Sequence, residues 1–458
     1  MTVPDLNPQI SVLTPDPPTT HRLNACAYQQ SALTTLAHTQ YAAFYTPTPD
    51  PTTRFLTLAR RDLSNQTSEW HHLTFTDYPQ RTDDGHNTIS LGICAGDGTI
   101  HLAFDHHCDT LHYRLSQPGL AYDTRKTSWT AASFGAVQSH LPGCSTLQDV
   151  TYPRFIPAGK NLFFECRIGR GRYTPHPTPR ALYLHGQNCN PYPNGLSFHP
   201  PTNTLHLTWT NRHFVPYDGA GDPTSTAHKA QAGPNGPENN EGLYYASAEV
   251  DTNPNPADPD RTVSVRWRGA HNADEVLATG AFGHTLPDEQ TTGLDSQDPR
   301  LRVREIPRGS GIMNQEGQVV DADGGVHVLN REKTRQGREE WVYYACLPDG
   351  KGEAEVKWES WALEGVYPTE TGLRGKVVCF RGGIWFVLPE NEREEWVLAR
   401  WGREDGLEVV WRGLGFTGEP VVDERALVEL GVLSVFGLRV DGEGREVVVV
   451  TFGLEVLS

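Results

Sequence analysis

Short runs of alternating apolar and polar residues recur along the whole chain, each followed by a turn and a second such run. Period-two alternation over four to eight residues fits half-buried strands. The pattern predicts hairpins at Tyr41–Tyr45 with Phe55–Ala59, Ile100–Phe104 with Leu111–Leu115, and Leu162–Cys166 with Ala181–Leu184. It continues at Leu205–Trp209 with Leu243–Ala246, Val326–Leu329 with Trp341–Ala345, Ile384–Leu388 with Trp396–Ala399, and Leu433–Phe436 with Val447–Phe452. That is seven hairpins and no long amphipathic helix.

The hairpins resemble one another. Several first strands follow a Gly- or Asn-bearing turn and carry a His, as in Asp97-Gly98-Thr99-Ile100-His101, Asn203-Thr204-Leu205-His206 and Gly324-Gly325-Val326-His327. Their second strands read Leu111-His112-Tyr113, Leu243-Tyr244-Tyr245 and Val342-Tyr343-Tyr344. A Trp often follows, at Trp70, Trp129, Trp267, Trp358 and Trp411, where a fourth strand would close a sheet. Units of about 45 to 60 residues built of short strands are what propeller blades look like in sequence. The expectation is therefore an all-β, seven-bladed β-propeller forming one domain over residues 1–458. His101, His206 and His327 are read first as packing residues inside blades. Polar interruptions at Tyr217–Glu241 and Asn272–Gly309 are expected to overhang one face.

Composition narrows the picture. The 44 Gly and 34 Pro break nearly every stretch that could become a helix, and no apolar run approaches the roughly 20 residues that span a bilayer. No membrane partner is expected. The start of the chain is polar, with no export signal, which fits either an intracellular protein or a secreted one without its leader. The eight cysteines show no CxxC pair, so mostly buried thiols are expected. A net charge of −17 argues against nucleic acid. Arg154 to Arg180, with six basic residues against Glu165, stands out on that acidic background as either a solvated face or a local anion site. The chain is taken as a monomer. Eighteen of the 19 histidines lie at or before His284, so imidazole chemistry belongs to the early blades.

One stretch concentrates such chemistry. His86-Asn87 precedes the alternating Ile89, Leu91 and Ile93, an innermost strand, and Asp105-His106-His107 ends the strand beside it. The next blades bring Tyr152-Pro153-Arg154 with Glu165-Cys166-Arg167, then Trp209-Thr210-Asn211-Arg212. In a propeller such strand ends converge on the axis. Arg offers a rigid fork for a carboxylate and for the charge of an enolate, His exchanges protons near neutral pH, and Tyr152 beside Arg154 and Arg167 has cations to assist ionisation. A structural account stands beside each role: the paired His106-His107 could ligate a metal or form a turn, Tyr152 could stack, and Arg154 could brace a blade. No spacing compels a metal site.

Asp97 to His107 with Leu111-His112-Tyr113-Arg114, Tyr152-Pro153-Arg154-Phe155, Phe164 to Gly169, and Asn314-Gln315-Glu316-Gly317-Gln318 together resemble the BNR-type propeller family of uronate-acting enzymes. That family includes ulvan lyases and fungal L-rhamnose-α-1,4-D-glucuronate lyases of gum arabic side chains. The resemblance covers Thr34 to Asn330, the tail following only in rhythm. It implies β-elimination at a glucuronate of an acidic polysaccharide, releasing rhamnose and leaving an unsaturated uronate. His86 and either His106 or His107 would move protons with Tyr152 assisting, the register before Leu111 favouring His107. Arg167 and Arg212 would neutralise the carboxylate, and Asn87, Arg154, Trp209, Asn211 and Gln315 would contact substrate. The chemistry needs no cofactor; the family can carry an axial calcium ion, but no acidic cluster identifies ligands for it. Hydrolysis of the same linkage, with Asp105 or Glu165 as acids, and glycan binding without chemistry are the alternatives.

Overall fold

The computed structural model describes residues 6–26, 29–65, 68–122, 128–169, 183–186, 189–213, 239–250, 263–271, 275–282, 293–347, 357–369, 372–390 and 394–453. The chain divides into two compact units, one of Met1–His140, Thr146–Ile168 and Gly383–Ser458, the other of Leu141–Ser145 and Gly169–Gly382.

Antiparallel meanders build the first unit. Leu33–Leu36, Thr39–Pro47, Arg54–Asp62 and His71–Gln80 form a four-stranded sheet, and Ile89–Ile93, Ile100–Phe104 and Tyr113–Leu115 a three-stranded one. Gly383–Glu390, Glu395–Gly402 and Gly406–Leu414 follow the same pattern. In the last sheet Phe416–Val422, Val432–Asp441 and Gly444–Gly453 are joined by Gln9–Pro15 from the other end of the chain, Gln9 lying opposite Thr451. In the second unit, Cys189–His199, Thr204–His213, Asn240–Val250, Val263–Arg268 and Val276–Phe282 form one sheet. Gly317–Val320, Val326–Lys333, Glu339–Cys346 and Trp358–Leu363 form another. Among the described residues the one α-helix is Glu424–Leu430, and no helix is long and apolar enough to cross a membrane.

Such meanders are the blades of a β-propeller, but the described residues hold six of them, not the seven expected. The difference lies in the third hairpin. Asn161–Ile168 pairs not with the segment downstream but with Val150–Ala158, upstream, through a two-residue Gly159-Lys160 turn in which Gly159 has φ 61°. A glycine with positive φ suits such a hairpin turn, and the pair stands as a two-stranded ribbon. Ala181 and Leu182 of the expected partner strand lie outside the described residues, and Leu184–His185 instead runs parallel to Leu294–Asp295. Most of the polar interruption Tyr217–Glu241 also falls outside them, whereas Asn272–Gly309 is largely described and holds the strands Val276–Phe282, Leu294–Asp295 and Arg302–Arg304.

The recurring strand histidine has a specific job. His101 Nδ1 meets Tyr113 Oη at 2.7 Å, His206 meets Tyr245 at 2.9 Å and His327 meets Tyr343 at 2.7 Å. In each blade the Tyr lies two residues before the cross-strand partner of the His, the diagonal neighbour on the same sheet face. A polar pair is thus satisfied inside an otherwise apolar sheet. The tryptophans behave as core: Trp209, Trp267, Trp341 and Trp396 are almost fully buried. Trp267, Trp358 and Trp411 sit in outer strands as expected, while Trp70 precedes its strand and Trp129 lies outside any. All eight cysteines are unbridged, but only Cys26, Cys108 and Cys189 are buried.

Burial pushes the pKa of His101 and of His206 down to about 4. In the unfolded chain each would titrate near ~6.5, so between the two values the unfolded state binds more protons and stability rises with pH. The thermal midpoint should therefore fall as pH is lowered from about 6.5 to 4, and His101→Phe should flatten that slope; an unchanged slope would show that His101 is charged in the folded protein.

Candidate active site

The first unit gathers the chemistry around one turn. The strand His71–Gln80 leads into Asp84-Gly85-His86, from which Ile89–Ile93 departs. Asp84 closes the turn on itself: its Oδ1 accepts the backbone N–H of His86 at 3.0 Å and lies 2.8 Å from His86 Nδ1, a local side-chain-to-backbone bond typical of Asp in turns. Its Oδ2 lies 2.6 Å from Nδ1 of His107. A carboxylate only accepts, so both imidazoles carry hydrogen on Nδ1 and a lone pair on Nε2. The two rings stack at 3.9 Å, 13° from parallel. Asp84, His86 and His107 are all buried.

Burial pushes His107 down to about 4 against the opposing pull of Asp84, with nearby His86 and Arg167 adding to the drop. Burial works against ionisation of Asp84, yet the hydrogen bonds from His107 and His86 hold its carboxyl well below the usual range. His107 is therefore a neutral imidazole at neutral pH.

His107 arrives through Asp105-His106-His107-Cys108, where Asp105 and Cys108 adopt left-handed backbone, φ 64° and 52°. Asp105 anchors the loop by accepting from Tyr78 Oη at 2.6 Å, Gln80 Nε2 at 2.9 Å and Asn87 Nδ2 at 2.6 Å. The adjacent histidines part company. His106 is fully buried, its Nε2 accepts the backbone N–H of His112 at 2.8 Å, and burial drives its pKa well down. That environment is structural, whereas His107 joins Asp84 and His86.

The ribbon supplies the next two groups. Gly92 lets it pack closely, since a Cβ there would overlap Phe155, and Ser90 Oγ donates to the carbonyl of Pro153. A bulge lies between Glu165, opposite Arg154, and Arg167, opposite Thr151. Tyr152 sits in it with φ 57°, a strained position for a non-glycine residue and a usual way to re-aim a side chain. Its ring lies 5.4 Å from that of His86, and the Arg167 guanidinium stands 4.7 Å over it. Arg167 Nη2 also reaches Cys108 Sγ at 3.9 Å, and Thr151 Oγ1 accepts the Cys108 N–H at 2.8 Å.

His86, His107, Tyr152 and Arg167 are thus brought together, with Asn87 tied in through Asp105. Arg154 is instead a buried brace, bound to both oxygens of Glu165 at 2.7 Å and to Gln30 at 2.7 Å. Arg170, Arg172 and Arg180 of the basic stretch lie outside the described residues. The remaining candidates belong to the second unit. Trp209 is fully buried on Tyr244 and donates to Ser296 O at 3.2 Å, and the buried Asn211 donates to the same carbonyl at 2.8 Å. Arg212 is half-buried, in register with Asn190 and Asn240. Gln315 is buried with φ 55°, next to Asn314, which Arg374 holds.

Asp84 was missed in the sequence, as were Tyr78 and Gln80. The Asp-Gly-His spacing of a turn closed by its own Asp was the available signal for the first. Asp84, His86 and His107 also offer ligand atoms within 4.8 Å of one another. One carboxylate and two imidazoles do not suit calcium, which takes six to eight oxygens. They are the donor types of a zinc site, but both Asp84 oxygens already accept Nδ1 hydrogens.

With its blades and its carboxylate-bridged histidine pair, the molecule is of the β-propeller class. Residues 39–360 match the BNR repeat-containing family, and the chain belongs to it. Its fold is that of polysaccharide lyase Uly1, at TM-score 0.60 and 14% identity, covering 95% of this chain and 93% of that one. It is similar also to a PL25 ulvan lyase solved with -[GlcA(1-4)Rha3S]- bound, at TM-score 0.56 and 12% identity, covering 95% of each chain. No curated protein sequence matches.

The tautomer assignment has a direct spectroscopic consequence. His107 should titrate near 4 by NMR, and Asp84→Asn should lower that value further by removing the charge that opposes desolvation. An upward shift in the variant would contradict the bridge.

Proposed function

We propose that the chain is a polysaccharide lyase that cleaves an L-rhamnose-α-1,4-D-glucuronate linkage of an acidic polysaccharide by β-elimination. The observation that carries this reading is the pair of Nδ1-protonated imidazoles sharing Asp84 beside Tyr152 and Arg167. Two similar structures are polysaccharide lyases, one holding -[GlcA(1-4)Rha3S]-, and they support the reading.

In the proposed step Arg167 faces the uronate carboxylate and offsets the charge that develops when C5 loses its proton. Nε2 of His107, unprotonated at neutral pH, takes that proton. The C5–H electron pair becomes the C4–C5 double bond, the C4–O4 bond breaks, and O4 leaves on rhamnose with a proton from Tyr152. Return of the proton from His107 to Tyr152 resets the site. Asp84 fixes the imidazole tautomers, and His86 packs against the ring that becomes charged.

Hydrolysis would need a carboxyl able to give a proton to the leaving oxygen. Asp84, Asp105 and Glu165 are each fully engaged as acceptors, which favours elimination. Rhamnosyl-glucuronate substrate should yield rhamnose together with ultraviolet absorbance from the unsaturated uronate. His107→Ala and Arg167→Ala should each lower the rate by about 100-fold or more with the fold intact. Rhamnose without absorbance would identify a hydrolase, and neither signal a binding protein.

A further inference from the structure

The first blade carries a second polar site at the opposite end of its outer strand. An open cleft of about 530 Å³, within the range of small-ligand sites, is lined by Thr39, Arg60, Ser68, His71, His72 and Trp129, together with Arg61 and Asp62. Cross-strand register explains the clustering: Arg60 lies opposite His71, and Thr39 opposite Asp62. Trp129 is fastened over them, its indole N–H donating to the carbonyl of His71 at 3.0 Å and its ring 4.3 Å from the Arg60 guanidinium.

The charge of this cleft is opposite to that of the protein. Two arginines face a single acid, Asp62, whose Oδ1 already accepts from Ser64, with two histidines beside them, in a chain of net charge −17. Arg61 is committed to the scaffold, bonded to Gln40, Thr451 and Ser11. Arg60 is largely buried yet lines the cleft, and His71 and His72 stand exposed at its mouth. Burial and the adjacent His71 lower the pKa of His72, so its imidazole is uncharged at neutral pH and the fixed positive charge is that of the arginines. An indole wall, hydroxyls at Thr39 and Ser68, and a cationic floor match an acidic sugar: a flat C–H face, hydroxyls and a carboxylate.

We propose that this cleft binds a uronate unit of an acidic polysaccharide, as a site separate from the histidine pair; the choice of a sugar rests on the lyase reading, whereas the anion preference does not. The ten-residue strand His71–Gln80 starts at the cleft and ends before the turn holding Asp84 and His86. At ~3.3 Å per residue the two sites lie roughly 30 Å apart along it, so both could engage one polymer chain.

Affinity electrophoresis through gels containing gum arabic tests this, with the same polymer carboxyl-reduced as the neutral control. The full chain carrying His107→Gln serves throughout, so that turnover does not erase the ligand. Retardation should occur with the acidic polymer and not with the reduced one. It should weaken about tenfold or more on adding His72→Glu, which places a negative charge at an exposed position, or Arg60→Gln. Equal retardation with and without His72→Glu, or with both polymers, would overturn the proposal, as would no retardation at all. Detection of unsaturated product from the parent protein alongside any of these results would leave the lyase reading standing.

Discussion

Everything in the candidate active site hangs on one carboxylate shared by two imidazoles. Asp84 is buried and would be costly there without partners; the Nδ1 hydrogens of His86 and His107 and a backbone N–H of its own turn supply them. In return it clamps two segments that the chain delivers separately, one before Ile89–Ile93 and one after Ile100–Phe104. The same contacts fix both tautomers. Because the rings stack at 3.9 Å, a proton gained by one discourages a proton on the other, so the pair acts as a single acceptor.

The surrounding backbone stores strain to keep that geometry. Asp105, Cys108 and Tyr152 are non-glycine residues in left-handed conformation, each costing on the order of 1–3 kcal/mol in isolation. Neighbouring contacts over-determine them: Asp105 takes three side-chain donors, Cys108 N–H is held by Thr151, and Pro153 is held by Ser90. The bulge that aims Tyr152 at His86 is affordable only because the ribbon is locked against Ile89–Ile93 at Gly92.

Strand pairing was legible in the sequence where the alternation was local. Six of the expected hairpins form, and the histidines read as packing residues turn out to bond tyrosines at a fixed diagonal. The third hairpin was misplaced because apolar strands flank Leu162–Cys166 on both sides, and only the turn at Gly159 decides which one pairs. The cluster of His86, His107, Tyr152 and Arg167 could be anticipated from residue types near strand ends. Asp84 had only the Asp-Gly-His spacing of its turn to set it apart from neighbouring acids, since the rest of its role comes from a contact with His107. Arg154 and Trp209 looked suited to substrate for the very reason that they pack well, a rigid fork and a large ring, and the fold uses both internally.

The distribution of acids around the site has a chemical consequence. Asp84, Asp105 and Glu165 could each have been a proton donor, yet every one spends its oxygens on fixed donors: imidazoles, amides and a phenol, or a guanidinium. Their work is to orient neighbours. In the lyase reading proposed above, proton movement then falls to the groups they orient, imidazole and phenol. A neutral imidazole and a phenol next to an arginine form a base, an acid and a fixed cation, the combination that removal of a proton next to a carboxylate requires. On that reading the carboxylates favour elimination over hydrolysis without taking part in the reaction.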